Sequence, residues 1–317
     1  MNRRRFNLLG ASLALSGIVP AARAATGDVV RIGWLRGPND ITLGKARGTL
    51  ERALAAHGAR VEWAGPFAAA APALEALNAG SIDVTAGSST ACITALSAGV
   101  PMVIFAYQKM AAAAEGILVK RDSPIKTLKD LSGRSVAVNR GGTGEYLLMR
   151  ALERNGIDAS AVKRIYLSPS DSGPGFTQGH VDAWATWDPF ISIALKSYDA
   201  RILADGAEIG SENAVTLMAS KSFASEKAAL LQVIFDIAKQ DNAWSLEHEA
   251  EAGAIWAQAM SLPADLAPAL GANNAVPTRA VSEADVAQIA RIADWYVASK
   301  IIPKQPDVAN GVVRLKE

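Results

Sequence analysis

Ile82-Asp83-Val84-Thr85-Ala86-Gly87-Ser88-Ser89-Thr90 is a short apolar run that stops at small, hydroxyl-bearing residues, and a helix-forming stretch follows to Ala98. Ser135-Val136-Ala137-Val138 repeats the order: Arg140-Gly141-Gly142-Thr143-Gly144 comes next, then a helical pattern over Glu145–Asn155 that stops at Gly156. Strand, small-residue loop and helix, used repeatedly, form the unit of an α/β fold with mostly parallel sheets.

The flanking sequence extends both units. Before the first lie a strand at Val29–Trp34, a helix at Ile41–His57 ended by Gly58, a strand at Arg60–Trp63 and a helix at Pro72–Asn78. After it come strands at Met102–Tyr107 and Gly116–Lys120. The second unit continues through a strand at Arg164–Leu167, a helical turn at Phe176–His180, a strand at Ala183–Thr186, a helix at Pro189–Tyr198 and a strand at Ala200–Leu203. A strand at Val215–Ala219 and the helices Ser225–Glu249, Glu251–Met260, Pro263–Leu270 and Glu283–Lys300 close the chain. The pattern predicts two similar lobes, with residues 25–122 and 206–317 in lobe I and 123–205 in lobe II. Ligands of open α/β sheets bind beyond the carboxyl ends of strands, so the loops between strand and helix in the cleft are the place to look.

With 317 residues, half of them apolar, the chain can bury a large core and is not globally disordered. A formal charge of +1 without a basic block argues against nucleic acid as a partner. One cysteine, Cys92, excludes an internal disulfide, and His57, His180 and His248 show no metal-ligand spacing. The start reads as an export signal: Arg3-Arg4-Arg5-Phe6, an apolar run from Leu8 to Val19, and Ala22-Arg23-Ala24 as the cleavage pattern. The paired arginines resemble a twin-arginine signal, with the general secretory route as the alternative. Cleavage after Ala24 gives a mature chain with a charge of −3 and no cysteine at its start to carry a lipid.

Gly87-Ser88-Ser89-Thr90 and Gly141-Gly142-Thr143-Gly144 both precede helices and carry no acid. A helix start presents unpaired N–H groups and a partial positive charge, and small residues let a ligand approach that backbone. A small oxyanion can be held there without a lysine or arginine. Helix capping by Ser88 or Thr143 explains the same residues without a ligand. The second loop is neither a P-loop nor a dinucleotide fingerprint. Trp187 and Asp188 end a strand, and Asp188-Pro189 is also a helix-start signal. Trp34 and Trp184 are candidates for the cleft wall, with core packing as the alternative. Cys92 lies within a helix and reads as a small buried residue.

Several stretches resemble the aliphatic sulfonate-binding proteins of ABC transporters. They include Leu74-Glu75-Ala76-Leu77-Asn78-Ala79-Gly80-Ser81-Ile82-Asp83, Tyr146-Leu147-Leu148-Met149-Arg150-Ala151-Leu152-Glu153, Val181-Asp182-Ala183-Trp184, Trp187-Asp188-Pro189 and Ile302-Pro303-Lys304. The likeness runs in order over nearly the whole mature chain and is specific for the wider sulfonate, taurine and nitrate binding family. It implies a two-lobed type II periplasmic-binding-protein fold, each lobe a mostly parallel sheet flanked by helices, with the ligand cleft between lobes. It further implies a monomer in the periplasm that binds an organosulfonate and delivers it to an inner-membrane permease and its ATPase, with no cofactor or metal. The family's anion loops match Ser88, Ser89, Thr90, Gly142 and Thr143; Trp34, Trp184, Trp187 and Asp188 complete the expected site. Many sulfonate binders carry an acidic Gly-Asp-Ala-Pro-Pro-like first loop, whereas Ser88-Ser89-Thr90 is closer to the taurine-type branch. Nitrate, bicarbonate and sulfate esters stay open as ligands. An enzyme on the same fold, of desulfinase or pyrimidine-precursor synthase type, would need Cys92 to be reactive.

Overall fold

The computed structural model describes residues 27–317; the export signal read at 1–24 lies outside them. The first run of elements is β1 (Asp28–Leu35), α1 (Asp40–Arg47), α2 (Thr49–Ala56), β2 (Ala59–Phe67), α3 (Ala70–Asn78), β3 (Val84–Ser88), α4 (Ser89–Ser97) and β4 (Met102–Lys109). The second is β5 (Glu115–Lys120), β6 (Ser135–Val138), α5 (Thr143–Arg154), β7 (Lys163–Tyr166), α6 (Pro169–Thr177), β8 (Ala183–Trp187), α7 (Phe190–Ser197) and β9 (Ala200–Asp205). The third is α8 (Gly206–Ile209), β10 (Ala214–Ser220), α9 (Lys221–Glu226), α10 (Ala228–Glu247), α11 (Glu249–Ala259), α12 (Ala267–Asn274), β11 (Thr278–Ala280) and α13 (Glu283–Ala298).

Two helix readings change. The single helix expected over 41–57 is broken at Gly48, which is left-handed at φ 64° and ends α1 by donating its N–H to Gly44 and Lys45 carbonyls. The short turn expected at 176–180 is the end of α6, which starts eight residues after Ala161 at Pro169. Its Ser, Pro and Gly content reads as a loop, but Ser168 accepts from the Asp171 N–H and Pro169 occupies the first turn, both good helix starts.

The strands form two sheets, ordered β11-β4-β10-β3-β1-β2 and β7-β6-β8-β5-β9. They are mixed rather than mostly parallel. Within each lobe β1, β2 and β3, and β6, β7 and β8, run parallel. Into each set one strand arrives from the other lobe and pairs antiparallel on both sides: β10 between β3 and β4, and β5 between β8 and β9. A strand sequence carries no direction, so this insertion is invisible before the fold is known. It also corrects the lobe boundary. Residues to 122 were assigned to lobe I, but Glu115–Lys120 belongs to the second sheet, and the first crossing is residues 110–114. The return crossing is residues 206–213.

Burial follows the expected periodicities. Ile32, Val84 and Phe105 of the first sheet pack with Leu231, Ile234 and Phe235 of α10, while Leu118, Ala137 and Ile191 pack within lobe II. The crossings meet at one buried amide. Asn213 Nδ2 donates to Glu115 Oε2 at 3.0 Å and to Thr143 Oγ1 at 3.1 Å, and Asn213 Oδ1 accepts from Ser89 Oγ at 3.0 Å. Ser89 Oγ in turn accepts from the Ala214 N–H at 3.1 Å. Both crossings and the starts of α4 and α5 are thereby tied together.

Burial pushes the Glu115 carboxyl up to about 7, against the opposing hydrogen bonds from Ser211 and Asn213. A carboxyl raised on folding favours the folded state while protonated, so stability falls as pH rises from about 4.5 towards 7. Thermal unfolding should show Glu115→Gln gaining stability over the parent above pH 7, by up to about 3 kcal/mol, and little difference at pH 4.5. Asp40, pushed up to about 6 by burial, leaves a residual slope in both proteins. Parallel pH profiles for parent and variant would refute this role for Glu115.

Candidate functional site

A cavity of about 370 Å³ lies between the lobes. Lobe I lines it with Arg36, Gly37, Asn39, the Ala68–Ala71 run, Leu74 and one face of α4; lobe II contributes Asn139 to Thr143, Trp187 and Asp188.

The charge pattern of the floor follows from two helix starts. β3 ends at Ser88, the N-cap of α4, whose Oγ accepts from the Ala91 N–H at 3.2 Å and shares a 2.8 Å bond with Thr90 Oγ1. α5 begins after Gly142, and Asn139 Oδ1 accepts from the Gly144 N–H of its first turn at 2.7 Å. Gly144 allows that helix to start against β8, since a Cβ there would lie 2.5 Å from the Ala185 carbonyl oxygen. Thr90 Oγ1 and Thr143 Oγ1 are 3.4 Å apart, and Thr94 Oγ1 donates to the Gly141 carbonyl at 2.6 Å. Two positive helix ends therefore converge on one space, which favours an anion.

The second loop is held from behind. Glu145 Oε2 accepts from the Gly141 N–H at 2.7 Å, and its Oε1 accepts from Tyr166 Oη at 2.6 Å and Arg164 Nη1 at 3.0 Å. Arg140 lines the cavity, and its guanidinium stacks 3.7 Å from the Tyr166 ring. Arg36 lines the cavity from lobe I. The sequence reading, in which the loops alone suffice, does not single out these two cations; Arg140 directly preceding the glycine pair is the available signal.

Of the residues named in advance, Ser88, Gly142, Thr143, Trp187 and Asp188 line the cavity. The structure places four others elsewhere. Ser89 turns into the hinge, where Asn213 and the Ala214 N–H use its hydroxyl. Thr90 is buried behind the floor between Ser88 and Thr143. Trp34 packs on lobe I, where Lys45 Nζ lies 5.2 Å from its ring and 5.3 Å from that of Trp63. Trp184 is core, 6.1 Å from Phe176 and 5.7 Å from Phe190.

Asp188 both caps and ties. Its Oδ1 accepts from the Ser192 N–H at 2.9 Å and Ser192 Oγ at 2.8 Å, at the start of α7. Its Oδ2 accepts from Asn273 Nδ2 at 2.9 Å and Asn274 Nδ2 at 3.2 Å, at the end of α12. Burial pushes this carboxyl up, against the opposing hydrogen bonds from Asn273, Ser192 and Asn274.

Cys92 faces away from the cavity. Its Sγ lies 3.1 Å from Thr216 Oγ1 and 3.0 Å from Met218 Sδ, and burial pushes the thiol up to about 12. Among the described residues no group of His, Cys, Asp and Glu side chains could hold a metal ion.

The profile of the NMT1/THI5-like family matches residues 55–252. The periplasmic aliphatic sulphonate binding protein SsuA of Escherichia coli superposes with a TM-score of 0.81 at 30% identity, covering 92% of this chain and 93% of that one. The alkanesulfonate-binding protein SsuA of Xanthomonas axonopodis pv. citri, bound to MOPS, superposes with a TM-score of 0.84 at 28% identity, covering 90% and 98%. The taurine-binding periplasmic protein of Escherichia coli strain K12 is 29% identical over 160 residues, covering 50% and 48%.

Alkylation tests the placement of Cys92. At pH 8 the folded protein should react with iodoacetamide about a thousandfold more slowly than the unfolded chain, because the raised thiol supplies almost no thiolate. Fast labelling of folded protein, slowed by a ligand in the cavity, would put the thiol in the site.

Proposed function

The chain is a member of the NMT1/THI5-like family, and from that membership we propose that it is the periplasmic solute-binding component of an ABC importer, with an organosulfonate as its ligand. The observation that carries this reading is the convergence of the α4 and α5 starts, one from each lobe, on a cavity whose remaining walls are mostly apolar. The likeness to sulfonate-binding proteins over nearly the whole chain supports the same ligand class.

The sulfonate oxygens are charged acceptors. Ser88, Arg140 and Thr143 lie together in the lining and would donate to them through the Ser88 hydroxyl, the Arg140 guanidinium and the Thr143 N–H, with Arg36 a second cation on the lobe I wall. Charge-assisted bonds contribute about 1.5–3 kcal/mol each; three of them, with burial of the alkyl chain offsetting the ordering cost, fit micromolar binding at about −8 kcal/mol. Trp187, Leu35, Leu74 and the alanine face of α4 pack the organic part. Because the donors lie on both lobes, an anion stabilises the closed arrangement more than the open one, and closure reports occupancy to the permease. The signal at residues 1–24 directs the chain to the periplasm. Function there is capture and delivery rather than catalysis, in keeping with a buried thiol that has no base beside it.

Ser88→Asp separates anion binding from capping. Aspartate caps a helix as well as serine does, so the melting temperature should hold. It also sets a negative charge beside the bound anion, which costs around 4 kcal/mol at about 4 Å and an effective dielectric near 20. Titration calorimetry should find butanesulfonate binding lost in Ser88→Asp and only weakened in Ser88→Ala. Parent-like binding in the aspartate variant would leave Ser88 as a cap alone.

A further inference from the structure

We propose that the helical hairpin α11–α12 is a clasp that lobe I lays on lobe II, with Asn273 as the positioning residue through which it holds the closed, ligand-bound form; this rests on the solute-binding reading above. By packing, the hairpin belongs to lobe I. Leu43 of α1 is buried in one cluster with Trp256, Leu266 and Leu270. Trp256 Nε1 donates to the carbonyl of Asn39, the residue that caps α1, at 3.2 Å. The hairpin is also stiff. A Cβ on Gly253 would overlap the Ala267 carbonyl oxygen, and one on Gly271 would overlap the Glu249 carbonyl oxygen, so α11 and α12 meet backbone to backbone. Such a pair moves as one body with lobe I.

The hairpin meets lobe II at three points along α7. Asn273 Nδ2 and Asn274 Nδ2 donate to Asp188 Oδ2 at 2.9 and 3.2 Å, just before α7 begins. Ile193 packs on the Leu43–Trp256 cluster, whereas Ile191 and Ala194 of the same helix lie in the core of lobe II. Lys196 Nζ lies 3.0 Å from Asp265 Oδ2, which sits in the turn Ala264–Leu266 between α11 and α12. Ser192, Ile193 and Lys196 share one face of α7 by helical spacing, so this helix gives one side to the other lobe. Trp187, beside Asp188, and Asn274 both line the cavity, so the clasp closes on the wall itself, while Asn273, Lys196 and Asp265 stand outside the lining. A rigid opening of the lobes parts all three contacts together. Bonds made only in the closed form add to affinity without touching the ligand.

Titration calorimetry with butanesulfonate tests this. Asn273→Ala should weaken binding by about tenfold, the scale of one hydrogen bond to a carboxylate. Asp265→Lys should weaken it by about threefold, the scale of an exposed ion pair, and adding Lys196→Asp should restore the parent affinity. Melting temperatures of the ligand-free proteins should match the parent, because the open form lacks these contacts. Parent-like affinity in Asn273→Ala, with or without a lower melting temperature, would make Asn273 a fold contact only and overturn the proposal, leaving the sulfonate reading standing. So would parent-like affinity in Asp265→Lys, or a double variant that binds no more tightly than Asp265→Lys alone. If the parent itself binds no butanesulfonate, the sulfonate reading falls and the proposal falls with it.

Discussion

The hydrogen bonds of the Asn213 side chain hold the architecture of the cleft. This amide is buried at the point where the chain returns from lobe II to lobe I, and it reaches Glu115 at the start of β5, where the outward crossing ends, Ser89 at the start of α4 and Thr143 at the start of α5. A buried amide left without partners costs about 1–3 kcal/mol per unmet group, so these bonds fix the two helix starts relative to each other. Hinge and floor are consequently one structure. The hydroxyl of Ser89, bonded to Asn213 and the Ala214 N–H, is withdrawn from the cavity, whose wall keeps Ser88, Arg140 and Thr143.

The remainder of the site depends on that placement. With the helix starts fixed, α4 runs along the cavity and supplies a floor of small residues, while Thr94 joins it to the Gly141 carbonyl across the lobes. Asp188 joins the lobes a second time through Asn273 and Asn274. Neither contact is a strong bond on its own. Each lies at the cavity wall, so a ligand that draws the lobes together shifts a balance of a few such contacts rather than breaking a core.

The loops at Gly87–Thr90 and Gly141–Gly144 were legible in the sequence because a strand gives way to small residues and then to a helical period. Which hydroxyl enters the cavity was not legible. Ser88 and Ser89 are adjacent, and their opposite fates are set by Asn213, more than a hundred residues away in the chain. The tryptophans show the same limit. Strand alternation gives Trp184 and Trp187 different faces, but Phe176 and Phe190 both cover Trp184, and Phe190 also meets Trp187 edge-on at 5.7 Å. Trp34 found its partner in Lys45 on the following helix rather than in a ligand wall. Arg140 is in plain view beside the glycines, but its stacking on Tyr166 requires the β6–β7 pairing.

The central claim is that two helix starts, one from each lobe, jointly hold a sulfonate. A crystal structure of the exported chain with butanesulfonate tests it most directly. The account predicts sulfonate oxygens within about 3 Å of the Thr143 N–H, the Ser88 hydroxyl and the Arg140 guanidinium, with the alkyl chain lying along Ala91 and Ala95. A sulfonate bound away from the two helix starts, or held by one lobe alone, would contradict it.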